Sequence, residues 1–253
     1  MKSMGLDLND AVTPYRDKVG IGINVIPELV KEGRILLPAT VLAERRINSA
    51  KNAWRDNYFF LGDAFAYSPD GKKFRAVLNS EHLRAVNKNT RLSNGAIPLE
   101  EGVYETLEGE EFVTAKVQEY LGKDLSPQDV KGNPVWAAFI TDKALRDEYI
   151  DRMSEQMKQR FGYDKTMGVF PADNTSGTAI IRPAFVGGLE CDWSQLGGWA
   201  WGVDNDARWV GVAPEALSAP GKAIQRPSLE ASLRVVNDTL RNAGYEITAF
   251  PRK

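Results

Sequence analysis

Lys165–Ala213 reads KTMGVFPADNTSGTAIIRPAFVGGLECDWSQLGGWAWGVDNDARWVGVA, and its pattern decides the fold class. Short β-prone runs, Thr166 to Phe170, Thr178 to Val186, Trp199 to Val203 and Arg208 to Ala213, alternate with clusters of Gly, Pro, Asn and Asp. Strands of this length joined by turn residues build a mainly antiparallel sheet. Upstream, Tyr58 to Tyr67 is rich in aromatics, Pro69-Asp70-Gly71 is turn chemistry, and Phe74 to Leu78 is β-prone, so these segments read as a hairpin.

Helical spacing appears between the strand-like regions. Apolar residues recur at three- and four-residue steps from Thr40 to about Asn57 (Ala43, Ile47, Ala50, Trp54), with Arg45, Arg46, Lys51 and Arg55 on the other faces. Ser80 is placed to cap a short helix through Val86, and a polar loop with Ser93-Asn94-Gly95 follows it. From Asp142 to Phe161 the stripe is Leu145, Tyr149, Ile150, Met153, Met157 and Phe161, with Asp142 as N-cap and Gly162 as the stop. Further helix and strand patterns run from Ser228 to Gly244 and from Tyr245 to Phe250.

The order is not a regular alternation of strand and helix, so the expected class is α+β: a mainly antiparallel sheet packed by amphipathic helices. We read residues 1–253 as a single domain with a mixed first third, a helical middle over 99–163 and a strand-rich part over 164–253.

Composition narrows the chemistry. A net charge of −2, 43% hydrophobic and 26% charged residues are ordinary for a globular protein and give no global attraction to nucleic acid or anionic lipid. One cysteine, Cys191, and one histidine, His82, rule out an internal disulfide and cysteine- or histidine-rich metal sites within one chain. No metal and no cofactor is expected. The N-terminus lacks the apolar run of a signal peptide, and no segment is long and apolar enough to span a bilayer, so the expectation is a cytoplasmic protein without a membrane partner.

Chemistry concentrates between Asp192 and Trp209. If Trp199 to Val203 is extended, Trp199 and Trp201 share a face, and with Trp193 and Trp209 they offer rings that stack on a sugar or another flat group. Arg208 can orient hydroxyl or charged groups. Asp192, Asp204 and Asp206 are the carboxylates to act as acid and base if catalysis occurs there, which points to a hydrolase or lyase. The competing reading buries the indoles in an interface, with Gly197, Gly198 and Gly202 relieving crowding, in a structural protein or homo-oligomer. Asp204-Asn205-Asp206 also suits a polar turn, and it fails the calcium-loop pattern because Arg208 and Trp209 stand where a ligand and a glycine belong.

Charge is uneven along the chain. Glu44 to Arg91 holds ten bases against five acids, and Leu99 to Glu155 holds fourteen acids against six bases. Arg45, Arg46, Lys51 and Arg55, interleaved with Trp54 and Tyr58, are the residues a nucleic-acid backbone would use, the weakest of the three functional readings because charge runs are usually solvated faces. Dinucleotide, phosphate-loop and Gly-x-Ser-x-Gly patterns are incomplete or missing.

Overall fold

The computed structural model describes residues 6–9, 14–190, 194–198 and 202–217. The chain divides into two compact units, Met1–Pro214 and Glu215–Lys253. The patterns from Ser228 to Phe250 lie outside the described residues.

In chain order the elements are β1 (Tyr15–Ile21), α1 (Gly22–Lys31), β2 (Ile35–Leu36), α2 (Ala39–Asn48), α3 (Ala53–Asp56), β3 (Phe59–Tyr67), β4 (Lys73–Val77), α4 (Glu81–Arg84) and β5 (Ile97–Pro98). They continue with α5 (Val103–Thr106), β6 (Glu110–Val113), α6 (Thr114–Val117), α7 (Pro127–Gly132), α8 (Pro134–Phe139), α9 (Lys143–Phe161), β7 (Val169–Pro171), β8 (Ile180–Val186), β9 (Leu196–Gly198) and β10 (Asp206–Val212).

The strands form one sheet with the path β1-β10-β3-β8-β9-β7. The α+β class holds. The sheet is mixed rather than antiparallel throughout, because β10 lies parallel to β3 and β7 parallel to β9. A parallel neighbour needs a long crossover, and here 138 residues, 68–205, separate β3 from β10. Short-range pattern therefore could not reveal the pairing.

Strand β3 is buried along all nine residues, as a central strand covered on both faces must be. Phe60, Ala64 and Ala66 join Val25, Ile26, Leu29, Ile181, Phe185 and Trp209 in one core. On the alternate positions, Phe59 meets Trp54 and Phe65 meets Phe139 and Phe74. The hairpin turns at Pro69-Asp70-Gly71 as the pattern indicates, with Tyr67 opposite Phe74.

The long helix forms where its caps predict. Asp142 accepts a hydrogen bond from the Leu145 N–H at 3.0 Å, and Leu145, Tyr149, Ile150, Met153 and Met157 are buried. Ser80 likewise caps α4 through the Leu83 N–H. The helix expected over Thr40 to Asn57 instead breaks at Ser49 to Asn52, so that α2 buries Val41, Leu42, Ala43 and Arg46 while Ala50 is exposed.

Arg46 corrects the sequence reading most sharply, since it is fully buried rather than on a solvated face. Its Nε donates to the Trp54 carbonyl at 2.8 Å, Nη1 to Tyr149 Oη at 2.9 Å and Ser194 Oγ at 3.1 Å, and Nη2 to the Asn57 and Gly187 carbonyls at 2.9 and 2.8 Å. A guanidinium has five N–H donors, and all are used. The group ties α2, α3, α9 and the segment after β8 to one point.

Asp63 is the second buried charge. Its carboxylate accepts from the Ala39 N–H at 2.6 Å and the Asn79 N–H at 2.7 Å, and so caps α2, whose own N-cap residue is Pro38. Burial pushes the Asp63 carboxyl up from 3.8 to about 6, outweighing the two backbone hydrogen bonds that lower it.

Two outcomes are expected. Arg46→Ala leaves three carbonyls and two hydroxyls without their donor and should lower unfolding free energy by about 3–5 kcal/mol, read from urea midpoints. For Asp63 the folded protein holds the proton more tightly than the unfolded chain. Its stabilisation is therefore complete below about pH 4 and is lost as pH rises to about 6, on the order of 3 kcal/mol. Subtracting the pH profile of Asp63→Asn from that of the wild type should isolate this decline, and identical profiles would refute it.

Candidate functional site

Two turns meet beside β8. Residues 93–96 form a tight turn in which Ser93 and Ala96 exchange backbone hydrogen bonds of 2.8 and 2.9 Å. Asn94 (φ 47°) and Gly95 (φ 75°) take the left-handed backbone that this turn type requires. In the second turn, Asn205 Oδ1 accepts from the Gly202 N–H at 2.8 Å, and the Asn205 N–H returns a bond to the Gly202 carbonyl at 3.2 Å. This is the polar turn that Asp204-Asn205-Asp206 suggests.

Glycine lets the turns touch. The Val203 N–H donates to the Gly95 carbonyl at 3.0 Å, and a Cβ on Gly202 would stand 2.1 Å from that same carbonyl oxygen. A Cβ on Gly198 would stand 2.3 Å from the Phe65 ring, beneath which Tyr67 Oη donates to the Gly198 carbonyl at 3.0 Å and accepts from the Ala172 N–H at 2.8 Å. The chain is thus pinned on both sides of 199–201.

The resulting rim is polar. Ser93, Asn94, Asp204, Asn205 and Asp206 are exposed, and a buried cation adjoins the first turn. Arg182, in the middle of β8 opposite Phe65, is 7% exposed and donates through Nη2 to the Asn94 carbonyl at 2.6 Å. Its Nε and Nη1 are buried with no hydrogen-bond partner. Burial lowers the Arg182 pKa, while Tyr67 and the Asp204 carboxylate oppose that shift.

The residues expected to form the site are dispersed. Asp204 and Asp206 do lie together on the exposed turn and at the start of β10. Arg208 is bound to Asp17 across the β1–β10 pair, and the Asp17 side chain is only 4% exposed. Trp209 lies wholly inside the core, its ring 5.0 Å from Phe60, so it presents no face for stacking. Cys191, Asp192, Trp193, Trp199 and Trp201 lie outside the described residues.

The basic residues proposed for nucleic acid have other work. Arg46 is buried; Arg45 stacks over Tyr15 and Trp54; Lys51 pairs with Asp7 at 2.6 Å; Arg55 bonds Asn52. Among the described residues no group of three or more His, Cys, Asp or Glu is placed to hold a metal ion. No helix among them is long and apolar enough to cross a membrane.

A shallow cavity of about 920 Å³ forms from different residues, including Glu148, Asp151, Glu155, Lys158 and Tyr163. Apart from Glu155, which accepts from Gln159, its charges are paired, Asp151 with Lys131, Lys158 with Asp164 and Glu148 with Arg152. The paired turns are the better candidate because they retain unmatched donors.

Sequence reasoning missed Arg182, although a signal was present. A single charge inside Ile180-Ile181-Arg182-Pro183-Ala184-Phe185-Val186, a run that reads as a buried strand, marks a cation that needs a partner.

The chain matches no family model and no curated protein. It is similar to a solved structure described as "Accommodation of massive sequence variation in Nanoarchaeota by the C-type lectin fold", with a TM-score of 0.59 and 19% identity over 79% of this chain and 99% of the other. At that identity the likeness shows the fold, which is C-type lectin-like.

Replacing Gly202 with alanine should push the two turns apart. We expect a stability loss of about 1–3 kcal/mol for Gly202→Ala, as for other overpacked sites. Gly132→Ala, with open space around its Cβ, is the control and should be unchanged or slightly more stable in the same urea titration.

Proposed function

We propose that this chain binds a small polar ligand, a glycan or another ring-bearing molecule, at the face made by the paired turns. The observation that carries the reading is Arg182: a buried guanidinium with unmatched donors, bonded to the Asn94 carbonyl and within the field of Asp204, both of which belong to the exposed turns formed by residues 93–96 and 202–206. Buried polar groups are nearly always paired, so an unmatched cation beside a polar surface supports a ligand seat. The C-type lectin-like fold is compatible with this role.

In this reading Asp204 and Asp206 accept hydrogen bonds from ligand hydroxyls, the Asn94 side chain offers both donor and acceptor, and Trp199 and Trp201 supply stacking surface. Arg208 contributes through Asp17, holding β10 against β1 and so fixing the turn. Binding is favoured over a hydrolase or lyase. Asp204 and Asp206 both face solvent, whereas acid–base catalysis by two carboxylates needs contrasting environments.

The test is a monosaccharide and oligosaccharide panel read by tryptophan fluorescence and calorimetry. Asp204→Ala and Trp199→Ala should each weaken binding by at least about tenfold, the cost of one or two good hydrogen bonds or a stacked ring, with the urea midpoint unchanged. A protein whose mass rises with concentration and that answers no member of the panel would favour the assembly reading instead.

A further inference from the structure

We infer that the ligand carries a carboxylate and that Arg182 is the residue that takes it, which makes an acidic sugar of the uronate class the best-matched occupant. This rests on the binding reading above and adds the charge of the ligand to it.

The chain contains its own standard of comparison. Arg46 and Arg182 are both more than nine-tenths buried. Arg46 spends every N–H on a carbonyl or hydroxyl, each within 3.1 Å. Arg182 spends one hydrogen bond, to Asn94, and leaves the one N–H of Nε and the two of Nη1 without acceptors. A buried donor without an acceptor has lost its water and gained nothing in exchange, so the second arrangement is costly unless something completes it.

The chemistry of the missing partner follows from the group. A guanidinium only donates, which excludes a cationic or donor-only partner, and its planar N–H array is matched by the two oxygens of a carboxylate. Asp204 adjoins the turn but forms no ion pair with Arg182. Its contribution there is electrostatic. The adjoining rim is unsuited to a polyanion, because exposed Asp204 and Asp206 would repel it. A ligand with one negative charge and several hydroxyls satisfies both layers, the carboxylate on Arg182 and hydroxyls on the rim acids.

Entry is local. The two unpaired nitrogens are shut off from solvent, and the third, Nη2, is held by the Asn94 carbonyl of the exposed turn, which is the element that would move. Moving it aside gives up one hydrogen bond and lets a carboxylate bridge one edge of the guanidinium, Nη2 together with either Nε or Nη1.

The experiment is calorimetry on the full chain at pH 7 with four probes: glucuronate, its methyl ester, glucose and glucose 6-phosphate. Glucuronate should bind at least about tenfold more tightly than glucose, the ester should fall to the glucose level, and Arg182→Met should erase the preference for glucuronate over its ester. The ester comparison needs no variant and stands even if Arg182→Met does not fold. Equal binding of glucuronate, ester and glucose would overturn the inference and leave the binding reading intact. Glucose 6-phosphate binding more tightly than glucuronate would also overturn it, reassigning the seat to phosphate. Failure of all four probes, and of the wider sugar panel, would sink both.

Discussion

Arg46 places a full positive charge where no water reaches it, and five hydrogen bonds from separate parts of the chain make that placement tolerable. Its acceptors come from Trp54, Asn57, Tyr149, Gly187 and Ser194, so the group can be satisfied only when α2, α3, α9 and the segment after β8 have all reached their places. Hydrophobic burial would tolerate small slips among these elements, since apolar contact is not directional. A guanidinium does not, because each N–H must meet its acceptor in line. The demand is therefore one of register, and the sheet inherits it: Gly187 follows directly on β8, and Asn57 immediately precedes the loop into β3.

The same logic explains Asp63. A carboxylate in the middle of a buried strand would be prohibitively costly in apolar surroundings, yet here it meets two backbone N–H groups, one of them at the start of a helix that has only a proline in front of it. Arg46, with three carbonyls and two hydroxyls, and Asp63, with two backbone N–H groups, are both satisfied without the ion pair that would serve elsewhere. Arg182 is less complete, with two of its three nitrogens unpartnered. With one acceptor for a whole guanidinium, supplied by the turn that meets its neighbour through Gly95 and Gly202, it is a point where buried donors are left open beside the surface.

Local pattern was a good guide wherever the deciding interaction was local. Asp142 and Ser80 cap the helices they precede, Pro69-Asp70-Gly71 turns the aromatic hairpin, and Asp204-Asn205-Asp206 is a polar turn, because in each case the hydrogen bonds join residues a few positions apart. It was a poor guide to the side chains with long-range partners. Arg46 has the spacing of a solvated helix face, and Trp209 sits beside exposed acids, yet both are interior. What draws Trp209 inward is Phe60 on a parallel neighbour, and what draws Arg46 inward is Tyr149 and Ser194.

From its amino acids alone this chain determined its class, its main caps and turns, and the exclusion of disulfide and cysteine- or histidine-rich metal chemistry, since these depend on composition and on neighbours along the chain. Folding in three dimensions was needed to lay β10 parallel to β3, to saturate Arg46 while leaving Arg182 with open donors, and to bring the 93–96 turn against the turn at Gly202. Each of those outcomes joins residues roughly a hundred or more positions apart, and which of two similar arginines finds its acceptors is a property of the assembled sheet and not of either residue's neighbours.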